Sequence, residues 1–157
     1  MKIRPVRVYK DTSVFGGIRD EEFAEISQAF FEQIRKGQFH LVTSAVVQEE
    51  MQFAPKEVHG LFDEMLEVAE VIEISEDALR LQRSYLEAGI VGERWATDAL
   101  HVALATVSGC ALIVSWNFAH IVHFEKIPLY NAVNTLQGYS SIAIHSPLEV
   151  VSYEEEV

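Results

Sequence analysis

Short apolar segments alternate along this chain with longer amphipathic ones, and that alternation restricts its fold more than any other feature. Residues 6–9 are predicted as a first strand running directly into Asp11-Thr12-Ser13. Residues 21–36 follow as an amphipathic helix with Phe23, Ile26, Phe30 and Ile34 on one face, stopped by Gly37. A second strand occupies 39–43, and Ser44 is placed to cap a helix that runs to about Phe53 and ends before Pro55. A helix over 56–69, a short strand over 71–74, a helix over 76–88 capped by Ser75, a helix over 93–108 and a strand over 111–115 complete the pattern. The last ~30 residues read as irregular, with an edge strand near 142–145. Strand and helix in this order predict a mainly parallel sheet with helices on both faces, a three-layer α/β/α domain spanning 1–157.

A chain of 157 residues that is 49% apolar, with 9 Phe, 5 Tyr and 2 Trp, can bury a core of its own and is not a disordered segment. Its single cysteine, Cys110, sits in an apolar stretch, which rules out an internal disulfide and a thiolate zinc cluster and reads as a buried, inert thiol. Lys2, Arg4 and Arg7 are followed by no apolar signal region, and the apolar run 99–114 is broken by His101, Ser108 and Gly109. The expectation is therefore no signal peptide, no membrane span and a cytoplasmic location. A net charge of −12, from 24 acids and 12 bases, counts against tight, unaided nucleic-acid binding. It leaves room for an enzyme that lets a cation recruit phosphate. The acidic run Glu154-Glu155-Glu156 reads as solvated charge.

Several polar residues fall where packing alone selects apolar ones. Asp11 comes at the carboxyl end of the first strand, where parallel sheets place ligands, though on its own it reads first as a helix N-cap. Glu50 falls within the arc defined by Val46, Val47, Phe53 and Ala54, all within about 60° of it on a helical projection. A lone carboxylate there needs a salt bridge or a metal. Asp98 repeats the pattern on a helix apolar nearly all round, with Arg94 one turn back as an alternative partner. His101 reads as a hydrogen-bonded core histidine rather than a ligand. Asn117 follows the strand at 111–115, where a plain turn or cap is the competing use.

Taken in order, these pieces resemble the PIN domain. They are Asp11-Thr12-Ser13 after a first strand, Glu50 within Thr43-Ser44-Ala45-Val46-Val47-Gln48-Glu49-Glu50, Asp98-Ala99-Leu100-His101, and Ser115-Trp116-Asn117-Phe118. The stretch from Asp98 to Gly138, including Tyr130-Asn131-Ala132-Val133-Asn134, is similar to a prokaryotic branch that includes the VapC-like ribonuclease toxins of type II toxin–antitoxin pairs. By position the family's acidic quartet maps onto Asp11, Glu50, Asp98 and Asn117, the last standing where many PIN nucleases carry Asp. The resemblance implies a metal-dependent ribonuclease using Mg²⁺ or Mn²⁺. Asp11 and Asp98 bind the ion, Glu50 holds or orients it, and Asn117 completes the shell without charge. Thr12, Ser13 and Ser115 stand as supporting hydroxyls. It implies further an RNA substrate, an antitoxin protein, a homodimer and no membrane partner. The departure at Asn117 implies an alternative, a PIN-fold binding module with weakened or lost catalysis.

Overall fold

The computed structural model describes residues 5–151, so the acidic run at 154–156 and the basic residues Lys2 and Arg4 lie outside the described residues. Strands β1 (Val6–Lys10), β2 (Phe39–Ser44), β3 (Glu70–Ile72), β4 (Leu112–Val114) and β5 (Ala143–His145) form one sheet in the order β3-β2-β1-β4-β5. Every pairing is parallel, with Val8 opposite Leu41 on one side and Leu112 on the other. Parallel neighbours need crossovers, and the helices supply them. These are α1 (Thr12–Gly16), α2 (Ala24–Arg35), α3 (Ala45–Met51), α4 (Lys56–Leu66), α5 (Glu76–Glu87), α6 (Ala96–Val107), α7 (Lys126–Leu136) and α8 (Pro147–Val150). The expected three-layer α/β/α architecture is the one found.

Strand alternation assigns the two cores. Tyr9 points to the face covered by α6, where its hydroxyl meets His101. Lys10 points the opposite way, among Phe15 of α1 and Phe30 and Phe31 of α2. Phe15 in turn meets Phe62 of α4 edge to face, so α1, α2 and α4 close that layer. Of the apolar residues on the first helices, Phe30, Phe31, Phe62 and Met65 are buried and Phe23 is partly so. Cys110 is buried beside Ser108, and burial pushes its thiol pKa up, which keeps it inert.

The helix ends follow local chemistry. Gly37 adopts φ 76°, and the Gly37 and Gln38 amides donate back to Ile34 and Gln33, closing α2 with a left-handed residue that glycine tolerates. Ser44 and Ser75 cap α3 and α5 through Val47 N–H and Ala78 N–H, as expected. Helix α3 stops at Met51, short of the predicted Phe53, and α6 starts at Ala96 after a 3₁₀ turn over Glu93–Trp95. The largest departure is α7, where the sequence reads as irregular. Its buried face carries Tyr130 and Asn134 rather than an apolar stripe, with Asn134 Oδ1 accepting from the Tyr85 hydroxyl. Pro128 sits in its first turn, where a missing N–H costs no helical hydrogen bond. Polar packing hid the helical period. The edge strand near 142–145 is present as β5. Among the described residues no helix is long and apolar enough to cross a membrane.

Candidate functional site

In the order β3-β2-β1-β4-β5 the chain runs outward from β1 to β3 and then restarts at β4 on the other side of β1. Parallel sheets place ligand sites beyond the carboxyl ends of strands whose connections diverge, here β1 and β4. Asp11 follows β1 at that end and Ser115 follows β4.

Asp11 is the N-cap residue of α1 by position, yet its side chain makes no capping bond. Ser13 Oγ donates to Asp11 Oδ1 at 2.6 Å and Ser115 Oγ donates to Asp11 Oδ2 at 2.7 Å. Each hydroxyl then accepts a backbone N–H, Trp116 onto Ser13 at 2.9 Å and Asn117 onto Ser115 at 2.9 Å. Both protons are thereby aimed at one carboxylate, whose orientation is fixed. Asp11 is only 4% exposed. Burial pushes its carboxyl above the ordinary carboxylate range, and Asp98 nearby pushes the same way. His101 and the two serines oppose the rise without cancelling it.

Glu50 stands on the last turn of α3, and the structure corrects its expected setting. Phe53 lies beyond the helix and is 90% exposed, so only the Val46 and Val47 half of the apolar arc is buried and Glu50 stands at its edge. The Glu50 side chain is 38% exposed at the rim. Oε1 meets His101 Nε2 at 2.9 Å. Burial pushes the Glu50 carboxyl up, but the His101 bond and charge, with help from the Thr12 hydroxyl, outweigh it and leave the pKa below its ordinary value. On the far side, His101 Nδ1 meets the Tyr9 hydroxyl at 2.8 Å, and Tyr9 meets Ser44 Oγ at 2.8 Å. Burial holds the Tyr9 phenol protonated far above its usual range. His101 Nε2–H donates to Glu50, and Nδ1, the Tyr9 hydroxyl and Ser44 continue the network into the core. His101, 2% exposed and bonded through both nitrogens, is the hydrogen-bonded core histidine expected.

Asp98 lies in the first turn of α6, partly buried and close enough to act electrostatically on Asp11. No ion pair joins it to Arg94 among the described residues; the Arg94 guanidinium lies 5.0 Å from the Trp95 ring centroid instead. Asn117 Oδ1 accepts the His120 N–H at 3.0 Å and so closes the turn after β4. The arrangement joins Asp11, Ser13 and Ser115 by hydrogen bonds and Glu50 to His101, while Asp98 and His101 reach Asp11 only through their charge. Among the described residues no three His, Cys, Asp or Glu side chains stand close enough to enclose an ion by themselves.

Two supporting features escape sequence reasoning. Tyr9 reads as one more strand residue, and nothing in the sequence marks its hydroxyl as the partner of His101. Trp116, 6% exposed, stacks on Phe23 at 4.1 Å and donates its Nε1–H to Ser27 at 2.8 Å, which fixes the segment carrying Ser115.

No protein-family profile and no curated protein matches this chain in sequence. Solved structures match its fold. VapBC2 from Rickettsia felis, bound to a DNA fragment from its promoter, has a TM-score of 0.60 and 17% identity over 90% of this chain and 98% of that one. FitAB bound to an IR36 DNA fragment has a TM-score of 0.58 and 14% identity over 96% and 99%. FitAcB from Neisseria gonorrhoeae has a TM-score of 0.57 and 14% identity over 91% and 99%. The chain therefore has the PIN-type α/β/α fold that it shares with the VapBC2 and FitAB structures.

Proposed function

We propose that this chain is a divalent-metal-dependent endoribonuclease that hydrolyses phosphodiester bonds of RNA, acting as the toxin of a toxin–antitoxin pair in the cytoplasm. The observation that carries this reading is the Asp11 carboxylate, buried at the switch point, clamped by two hydroxyls and coupled to Asp98.

The donors suit Mg²⁺ or Mn²⁺. These hard cations take oxygen ligands and, for Mg²⁺, commonly bind through one or two carboxylates with water and substrate phosphate filling the shell. Asp11 and Asp98 are the direct ligands in this reading, and Glu50 holds the ion through water. When bound, the ion lowers the pKa of water and offsets charge at the reacting phosphate. Ser13 and Ser115 keep Asp11 from rotating. His101 holds Glu50 ionised at the rim, ready to orient a nucleophilic water. Asn117 positions Ser115 through its backbone and keeps the turn closed through its amide.

The DNA-bound complexes of VapBC2 and FitAB support an inhibitory antitoxin encoded beside this chain. A homodimer is part of the same reading through the resemblance alone, since the core takes up Phe30, Phe31, Phe62 and Met65. A second reading, a PIN-fold binding module with weakened catalysis, is favoured by one observation. The Asn117 amide oxygen is engaged with His120 and brings no charge to the site.

Cleavage of single-stranded RNA in Mn²⁺ or Mg²⁺ decides between them, comparing the native chain with Asp11→Asn and Asp98→Asn. Metal-dependent cleavage by the native chain and its loss in both variants is the expected result. Equal behaviour of all three removes the catalytic reading, and Mn²⁺ titration that shows no carboxylate-dependent site leaves the binding module.

A further inference from the structure

Immediately beside the Glu50 carboxylate lies a cavity of about 440 Å³ between α1 and the α3–α4 junction. Its floor is apolar, made by Met51 and Val58, both 2% exposed. Its wall is Phe53, whose ring is 90% exposed although it belongs to no core and caps no helix. The ring stands two residues beyond the end of α3 and packs into no core cluster of the described residues. Arg19 lines the same cavity. Among the described residues five cations are engaged by acids or a carbonyl, while Arg19, Lys36, Lys56 and Arg94 form no ion pair. Arg7, Arg35, Arg80 and Arg83 pair with acids, and Lys126 binds the Ile90 carbonyl. Arg19 forms no ion pair among the described residues, in a chain whose net charge is −12.

We infer that this cavity is a nucleotide subsite of the enzyme: the Phe53 ring stacks on one base of a single-stranded RNA, and Arg19 contacts a neighbouring phosphate. The inference rests on the ribonuclease reading and adds to it the place where substrate is gripped. The volume falls in the range of small-ligand sites and has room for one nucleotide. Stacking on an aromatic ring is indifferent to base identity, so this grip tolerates many sequences, and a guanidinium is suited to phosphate. Continuity with Glu50 sets the strand's direction of travel, out of the cavity and across the carboxylates. A local cation against a repulsive whole-chain field favours this place over the rest of the surface for an anionic substrate.

The test separates binding from cleavage. A fluorescein-labelled single-stranded RNA of about ten nucleotides is titrated by anisotropy in Ca²⁺, and its integrity is checked on a gel. Phe53→Ala is expected to weaken binding about tenfold, Phe53→Tyr to hold it within about twofold, and Arg19→Ala to weaken it and flatten its salt dependence. In Phe53→Trp the indole emission, less that of the native chain, is expected to be quenched by the RNA but not by inorganic phosphate. Phe53 is exposed, so thermal melts of these variants should match the native chain. Failure of the native chain to bind the RNA, unchanged affinity in Phe53→Ala, or an indole silent to RNA and quenched only by a basic peptide each overturns the subsite. RNA that binds through Phe53 without ever being cleaved retains the subsite and removes the ribonuclease reading. Cleavage with an unchanged KM in Phe53→Ala does the reverse.

Discussion

Nε2 of His101 lies 2.9 Å from Oε1 of Glu50. The bond joins a nearly exposed carboxylate on α3 to a fully buried network that reaches Tyr9 on β1 and Ser44 at the end of β2. The rim of the site is thus anchored in the core. Replacing His101 by Leu leaves one Glu50 oxygen without its partner and the Tyr9 hydroxyl with Ser44 alone. The expected cost is about 1–3 kcal/mol of stability and a roughly 10–100-fold loss of Mn²⁺ affinity or cleavage rate. His101→Gln, which keeps a donor for Glu50, should retain more of the affinity. Calorimetric Mn²⁺ titration of the folded variants checks this. Native affinity in His101→Leu would show that the bond holds the fold and not the site.

The strand that carries Asp11 carries an oppositely placed oddity one residue earlier. Lys10 is fully buried, its Nζ has no hydrogen-bond partner, and it lies 3.4 Å from the Phe31 ring centroid and 4.0 Å from that of Phe30. Burial, with a smaller push from Arg35, lowers its pKa well below the ordinary 10.5. Between the folded and unfolded pKa values the unfolded chain binds a proton that the folded chain lacks, so stability rises with pH across that window. The penalty is complete below the folded pKa and vanishes above about 10.5. Lys10→Met should therefore stabilise the protein by about 1–3 kcal/mol near neutral pH. The gain should shrink as pH climbs towards the unfolded value. Urea unfolding of both chains across that range is the measurement. A gain independent of pH would mean that the methionine simply packs better.

The period of the apolar residues made the sheet and most helices legible, because each of those elements buries one continuous stripe. It failed at α7, where the inward positions are Tyr130, whose hydroxyl donates to the His120 carbonyl, and Asn134, which bonds to Tyr85 of α5 and Thr106 of α6. The site was legible where a carboxylate follows a strand. Asp11 and Ser115 meet because β1 and β4 are neighbours, a fact that strand order alone dictates. Glu50 was singled out on a helical projection that the chain leaves at Met51, so only the half of the packing argument resting on Val46 and Val47 holds. What links it to the other acids is a tertiary bond to His101, across a sequence separation that no local pattern encodes.

Gly17 offers a purely steric test of the frame around Asp11. Its φ of −60° suits any residue, but a methyl there would stand 2.5 Å from Ser27 Oγ and 2.7 Å from Trp116 Nε1. Those two atoms are the acceptor and donor of one hydrogen bond. Gly17→Ala must push Trp116 off Ser27 and disturb the strand end carrying Ser115. A loss of about 1–3 kcal/mol is expected, as for overpacked cores, with a shift in tryptophan emission. Unchanged stability and emission would mean that the α1–α2 connection yields freely.

Asn117 separates the two readings of this protein most directly. Its amide oxygen closes a turn on His120, and its backbone N–H holds the Ser115 hydroxyl that clamps Asp11. Asn117→Ala removes the first contact only, and a stability loss of about 0.5–2 kcal/mol is expected, as for a lost cap. Asn117→Asp keeps an acceptor for His120 and adds a negative charge on the segment that leads into the site. Without metal that charge adds to the repulsion already acting between Asp11 and Asp98, so the variant should be less stable than the native chain. With Mn²⁺ the order should reverse, because any ligand that binds the folded state more tightly raises its stability by mass action. Thermal melts with and without Mn²⁺ read both effects in one experiment. A crossing of the two melting orders places residue 117 within reach of the ion. Parallel shifts at every Mn²⁺ concentration would leave Asn117 as a turn cap and nothing more.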